Sequence, residues 1–114
     1  QVPNIRTPIN ANDFVYVDDV ADAFSKAVSV NFPSGIYNLG SGRSTSVLKV
    51  CHIAEKIALG SESLTAELES KTEISRCEVD FWADIKQSKE ILDWQPTTSL
   101  TEGIHQTQQW LNSQ

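Results

Sequence analysis

The run from Asp13 to Ser46, DFVYVDDVADAFSKAVSVNFPSGIYNLGSGRSTS, leaves few architectures open. Phe14, Val15, Tyr16 and Val17 form a β-branched and aromatic run suited to a buried strand. Asp18 or Asp19 follows as a helix cap, its charge facing the positive helix end. Val20, Ala23, Phe24, Ala27 and Val28 then recur at helical spacing. Pro33-Ser34-Gly35 turns the chain into a second strand over Ile36-Tyr37-Asn38-Leu39. Gly40-Ser41-Gly42 breaks that strand, and Ser44 or Ser46 opens the next helix. This succession specifies an α/β fold. The whole chain, 1–114, is read as one small mixed domain of about four short strands and four helices.

The remaining segments fit that plan. Residues 1–12 carry Pro3, Pro8 and three Asn and read as an extended lead-in. Ser46 to Leu59 has the clearest helical pattern, and Gly60 stands where a left-handed C-terminal cap belongs. Leu64, Ala66 and Leu68 alternate with Thr65 and Glu67, which predicts a short strand. Lys71 to Cys77 reads as loop and Glu78 to Ala83 as a strand. Asp84 caps a short helix through Leu92, ended by Asp93, Trp94, Gln95 and Pro96. Ser99 and Glu102 make a capping box for a helix to about Leu111. The three tryptophans, Trp82, Trp94 and Trp110, are expected to face a core.

Charge and cysteine usage narrow the function classes. Net charge is −6, and the nine basic residues form no stripe, which disfavours a nucleic-acid partner. No apolar run approaches the length of about 20 residues that spans a membrane, and no signal-peptide pattern is present. Cys51 and Cys77 make neither a disulfide framework nor a zinc site, so a reducing, cytoplasmic setting is the default expectation. The chain contains no methionine. Gln1 is therefore expected not to be a native N-terminus, and the chain is read as a piece of something longer.

Chemistry-bearing constellations are sparse. A strand, Gly40-x-Gly42 and a helix share the layout of a phosphate-binding loop, with Arg43 as an added cation. The third glycine of a dinucleotide fingerprint is replaced by Thr45, so a tight strand-to-helix turn is the simpler reading. Aspartates 13, 18, 19 and 22 are assigned to helix capping and solvation. His52 and His105 have no partner carboxylate at a telling spacing. Cys51 falls on an apolar helix face and packs there as a small hydrophobe. Cys77 lacks local cations that would lower its pKa. No nucleophile–base pair emerges.

Three motifs carry a family resemblance. DFVYVDDVADAF at 13–24 is similar to R-D-F-x-Y-V-x-D-V-A-x-A, and GIYNLGSGRSTSV at 35–47 to G-x-Y-N-x-G-S-G-x-x-x-S-V. WADIKQSKEILDWQPTTSLTEGI at 82–104 is similar to A-D-x-S-K-A-x-x-x-L-G-W-x-P-x-x-S-L-x-E-G-I. In order and spacing these resemble the C-terminal third of the extended short-chain dehydrogenase/reductases, the nucleotide-sugar epimerases, dehydratases and reductases. The resemblance implies a Rossmann half that holds NAD or NADP and a C-terminal half that grips a nucleotide diphosphate-sugar. The cofactor glycines G-x-x-G-x-x-G and the catalytic Tyr-x-x-x-Lys are absent here: Val20 follows Tyr16 at that spacing, and Ser41 follows Tyr37. The N-terminal NAD(P)-binding part is thus absent from this chain, which is expected to bind no cofactor and to transfer no hydride alone.

Two family arginines ordinarily neutralise the diphosphate. Asn12 stands at the first position and brings a hydrogen bond without charge. Arg76, in RCEV, matches the second. The resemblance therefore implies Asn12 and Arg76 as substrate-binding residues, with no catalytic, cofactor or metal residue in the chain. The departure at Asn12 shifts the expectation toward a ketoreductase or an unusual substrate. A non-catalytic binding or assembly module on the same scaffold is the alternative of another class. In the family the 13–39 segment packs against the Rossmann half, so its apolar face is expected to be uncovered here and to drive self-association.

Overall fold

A computed structural model describes residues 5, 8–29, 31, 33–71 and 79–114. Its elements are β1 (Ala11–Asn12), α1 (Val17–Ser29), β2 (Thr45–Ser46), α2 (Val47–Leu59), α3 (Ser63–Lys71), α4 (Lys86–Glu90) and α5 (Leu100–Asn112). β1 and β2 pair antiparallel, with Ala11 opposite Ser46 and Asn12 opposite Thr45. A single parallel bridge joins Ala11 to Asp80. The mixed α/β class stands, with five helices among the described residues and less strand there than the pattern suggested.

Two helices end where their sequence says. Ser46 caps α2, its hydroxyl accepting from the Lys49 N–H, and Gly60 closes α2 at φ 66° with its N–H on the Lys56 carbonyl. Ser99 caps α5 by accepting from the Glu102 N–H. The lead-in completes the α2 N-terminus: Val47 N–H bonds to the Asn10 carbonyl at 2.9 Å and Leu48 N–H to that of Pro8 at 2.7 Å. The first three amides of α2 are thereby all satisfied, a requirement of any helix start.

Other expectations need correction. The alternating stretch Leu64 to Leu68 is helical, because Glu55 on α2 receives the Leu64 and Thr65 N–H groups and caps α3 from outside. The runs 14–17, 36–39 and 79–83 form no extended ladder, since no further strand lies alongside them among the described residues, where only Asp80 bridges; Glu78, the start of the third expected strand, lies outside those residues. α1 begins at Val17, so Asp18 and Asp19 lie inside its first turn instead of capping it. Of the tryptophans only Trp94 is in the core, at 1% exposure; Trp82 and Trp110 lie more than half exposed.

The core is a small cluster of Ala23, Ile85, Leu92 and Trp94, flanked by Val15, Tyr37, Leu39 and Ala83. Trp94 donates its indole N–H to the Asp19 carbonyl at 2.7 Å, which satisfies the one polar atom its burial would otherwise strand. Fully buried Ser88 donates to the Asn38 carbonyl at 2.6 Å. The helical stripe on α1 turns only Ala23 into this cluster, while Phe24 is 63% and Val28 87% exposed, and Val17 and Ile36 are exposed as well. The molecule is a slab of 51 × 37 × 17 Å with a radius of gyration of 16.7 Å, against about 13 Å for a compact domain of this length.

Candidate functional site

β1 ends at Asn12, and Asp13 follows it directly. Asn12 is half-buried opposite Thr45. Asp13 reaches the glycine turn. One carboxylate oxygen accepts from the Ser41 N–H at 2.7 Å and the Ser41 hydroxyl at 2.6 Å. The other accepts from the Gly42 N–H and the Ala83 N–H, both at 3.0 Å. Burial pushes the Asp13 carboxyl up, but these bonds from Ser41, Ala83 and Gly42 outweigh it and hold it below the usual range.

Two glycines permit this closeness. A Cβ on Gly40 would lie 2.6 Å from Asp13 Oδ2 and 2.8 Å from the Ala83 Cβ. Gly42 sits at φ 80°, in the left-handed region that favours glycine. The turn therefore does not fit a dinucleotide pyrophosphate. The Ser41 and Gly42 amides are taken by Asp13, the Arg43 amide by the Ser41 hydroxyl, and the first α2 amides by the lead-in and Ser46. Asp13 is an internal anion where a phosphate would need open donors. The architectural reading of the glycine turn holds.

The segment after the turn's partner is tied to the same strand. Ala11 N–H bonds to the Val79 carbonyl at 2.7 Å, and Val79 N–H to the Asn10 side-chain oxygen at 3.3 Å. Asn12 thus lies where β2, the glycine turn and the 79–83 segment meet. Arg76 precedes Val79 by three residues in sequence and lies outside the described residues, as does Cys77.

Two other carboxylates act as joints. Asp19, 5% exposed, accepts from the Thr97 hydroxyl and the Thr98 N–H, each at 3.0 Å. Its burial raises the carboxyl pKa and the bonds from Thr98 and Thr97 more than reverse that. Glu55, also buried, accepts from Ser61, the Leu64 and Thr65 amides and the Thr65 hydroxyl. Against the upward push of burial, these donors bring it to about 2. Sequence reasoning assigned Asp13 and Asp19 to capping and solvation. An acid at the end of a strand ahead of a distant Gly-x-Gly was the available signal for Asp13.

His52 meets Glu62 at 3.3 Å, a partner the sequence reading missed, but both side chains are about half exposed. Burial pushes the Cys51 thiol up, which opposes thiolate chemistry. A cleft of about 380 Å³ opens between Tyr16, Arg43, Thr98, Gly103 and Ile104 and does not include Asn12. Among the described residues no group of His, Cys, Asp and Glu is arranged to hold a metal, and no buried side-chain polar atom is unpaired. No helix among them is long and apolar enough to cross a membrane. The arrangement holds segments in place.

No family model matches the chain. It is 32% identical over 104 residues to the UDP-glucuronate 4-epimerase of Thermodesulfobacterium geofontis, covering 88% of this chain and 30% of that protein. Among solved structures, it superposes on the UDP-glucose 4-epimerase of Thermotoga maritima with UDP-glucose at TM-score 0.72 and 24% identity, over 99% of this chain and 35% of that one. The Bordetella bronchiseptica enzyme WbmF in complex with NAD+ and UDP gives TM-score 0.71 at 23% identity, over 97% and 31%. The chain thus spans about a third of the proteins it matches. Its three motifs, its glycine turn and these matches lead to one conclusion: the chain belongs to the extended short-chain dehydrogenase/reductase family, over the C-terminal part of that fold.

Proposed function

We propose that residues 1–114 are the substrate-side portion of an NAD(P)-dependent nucleotide-sugar epimerase or dehydratase, gripping the diphosphate of the nucleotide sugar through Asn12 and Arg76. The observation that carries this reading is the superposition of nearly the whole chain on one part of an epimerase crystallised with UDP-glucose. In the parent protein the N-terminal Rossmann part would hold NAD or NADP, and the hydride chemistry belongs to that cofactor. This chain contributes binding and orientation only. A neutral Asn12 leaves the diphosphate with one cation fewer, which supports a ketoreductase of the same family as the second reading. The exposed apolar residues of α1 support self-association of the chain when it stands alone.

The test is a titration of UDP-glucose into the isotopically labelled chain, followed through its amide resonances. The expected result is a set of shifts centred on Asn12, Ala11 and Val79, with none when NAD is added. Shifts confined to the cleft beside α5, or no shifts at all, would overturn the assignment of Asn12.

A further inference from the structure

Three segments distant in sequence meet at one carboxylate. The chain directly after β1 brings Asp13, the glycine turn brings three donors at Ser41 and Gly42, and the 79–83 segment brings the Ala83 amide. Four donors on one carboxylate saturate its ordinary accepting capacity, so Asp13 has nothing left to offer a ligand. Its neighbour Asn12 is the residue at the junction. On the far side of β1, Ala11 and Asn10 hold Val79 through two further bonds. The 79–83 segment is therefore fastened to 10–13 at both its ends, and Asp13 supplies the only charged fastening among the described residues there.

We propose that Asp13 is a positioning residue of the substrate site: its carboxylate pins the glycine turn and the 79–83 segment to the chain directly after β1, and so fixes how Asn12 is presented to a nucleoside diphosphate. The inference rests on the substrate-side reading above for its ligand, and on the hydrogen bonds alone for its joint. Asp13→Asn is the direct perturbation. An amide in place of the carboxylate turns an N–H₂ group toward backbone N–H donors, which converts two attractions into repulsion. Ser41→Ala is the milder one: it removes the hydroxyl that donates to Asp13 and accepts from the Arg43 N–H, and it keeps the three backbone bonds to the carboxylate.

Two readouts on the 114-residue chain separate the joint from the ligand. Residue-resolved hydrogen exchange is expected to speed up at Ala11, Ser41 and Ala83 by at least about tenfold in Asp13→Asn and about threefold in Ser41→Ala, while α5 amides such as Ile104 keep their rates. UDP-glucose affinity is expected to fall about tenfold in Asp13→Asn at a temperature where its circular dichroism matches wild type. Wild type that binds UDP-glucose beside an equally tight Asp13→Asn would overturn the positioning role. A wild type that does not bind would remove the substrate reading instead, and exchange would then decide the joint. Unchanged exchange at Ala11 and Ala83, or a uniform increase across the chain, would overturn it. Should Asp13→Asn fail to fold, Ser41→Ala decides by the same local pattern.

Discussion

Gly40→Ala isolates the cost of the crowding around Asp13. Gly40 is buried, and its backbone lies outside the left-handed region, so a side chain there meets no conformational penalty. What it meets is matter. The new methyl would stand 2.6 Å from Asp13 Oδ2, 2.8 Å from the Ala83 Cβ and 3.0 Å from Asp13 Cγ. None of these is the far end of a flexible side chain, because Asp13 is held by four donors and Ala83 by the same carboxylate. Relief requires pushing the two segments apart. Overpacking of this kind costs about 1–3 kcal/mol, and a lost charge-assisted bond adds about 1.5–3 kcal/mol, so about 2.5–6 kcal/mol is expected in total. With an unfolding entropy of about 2.1 cal/mol/K per residue, 1 kcal/mol corresponds to about 4 °C on a chain of this length. The variant should therefore melt about 10–24 °C below wild type by circular dichroism. Gly60→Ala supplies the control: φ is 66° there and nothing lies within 4 Å, so only left-handed strain of about 1 kcal/mol applies, or about 4 °C. Equal losses in the two variants would refute the argument from crowding.

Asp93 adopts φ 52°, in the place where the family motif has glycine. Asp93→Gly should raise the urea midpoint, a gain of about 0.5–1 kcal/mol, and it leaves intact the Asp93 carbonyl that accepts from Lys26. Glu55 has a carboxyl depressed to about 2 from an ordinary 4.5, so its contribution is complete above about pH 4.5 and disappears as pH falls toward 2. An acid titration by far-ultraviolet circular dichroism should lose the α3 signal across that window, and Glu55→Gln should lack that transition. Phe24, 63% exposed on α1, should drive association: light scattering should give a mass that rises with concentration in wild type and stays at 12.6 kDa in Phe24→Glu. Wild type at the monomer mass throughout would contradict this.

What the sequence revealed depended on how local the cause was. α2 and α5 were legible because Ser46, Gly60, Ser99 and Glu102 sit within a turn of the ends they define. α3 was not, since its cap is a carboxylate on another helix and Leu64-Thr65-Ala66-Glu67-Leu68 alternates as a strand would. Periodicity showed that α1 has an apolar face but carries no information on whether anything covers it, hence Phe24 and Val28 in the open. Trp82 and Trp110 were misplaced for the same reason. The candidate site rests on resemblance alone: Asn12 lies at a junction of three segments, Arg76 is outside the described residues, and Asp13 was read as a capping acid.

The 17 Å thickness of the slab has a thermodynamic consequence. A folded monomer of this mass ordinarily leaves about 6,200 Å² in contact with water, whereas this chain leaves 8097 Å². The difference, about 1,900 Å², is the size of one standard protein–protein interface. Whatever occupies that surface adds its own binding free energy to folding, about 2.7 kcal/mol once the occupant is at a hundred times its dissociation constant. On this chain that amounts to about 11 °C of melting temperature. Its stability is therefore a function of concentration and company, and a melting curve recorded at one dilution describes that mixture only.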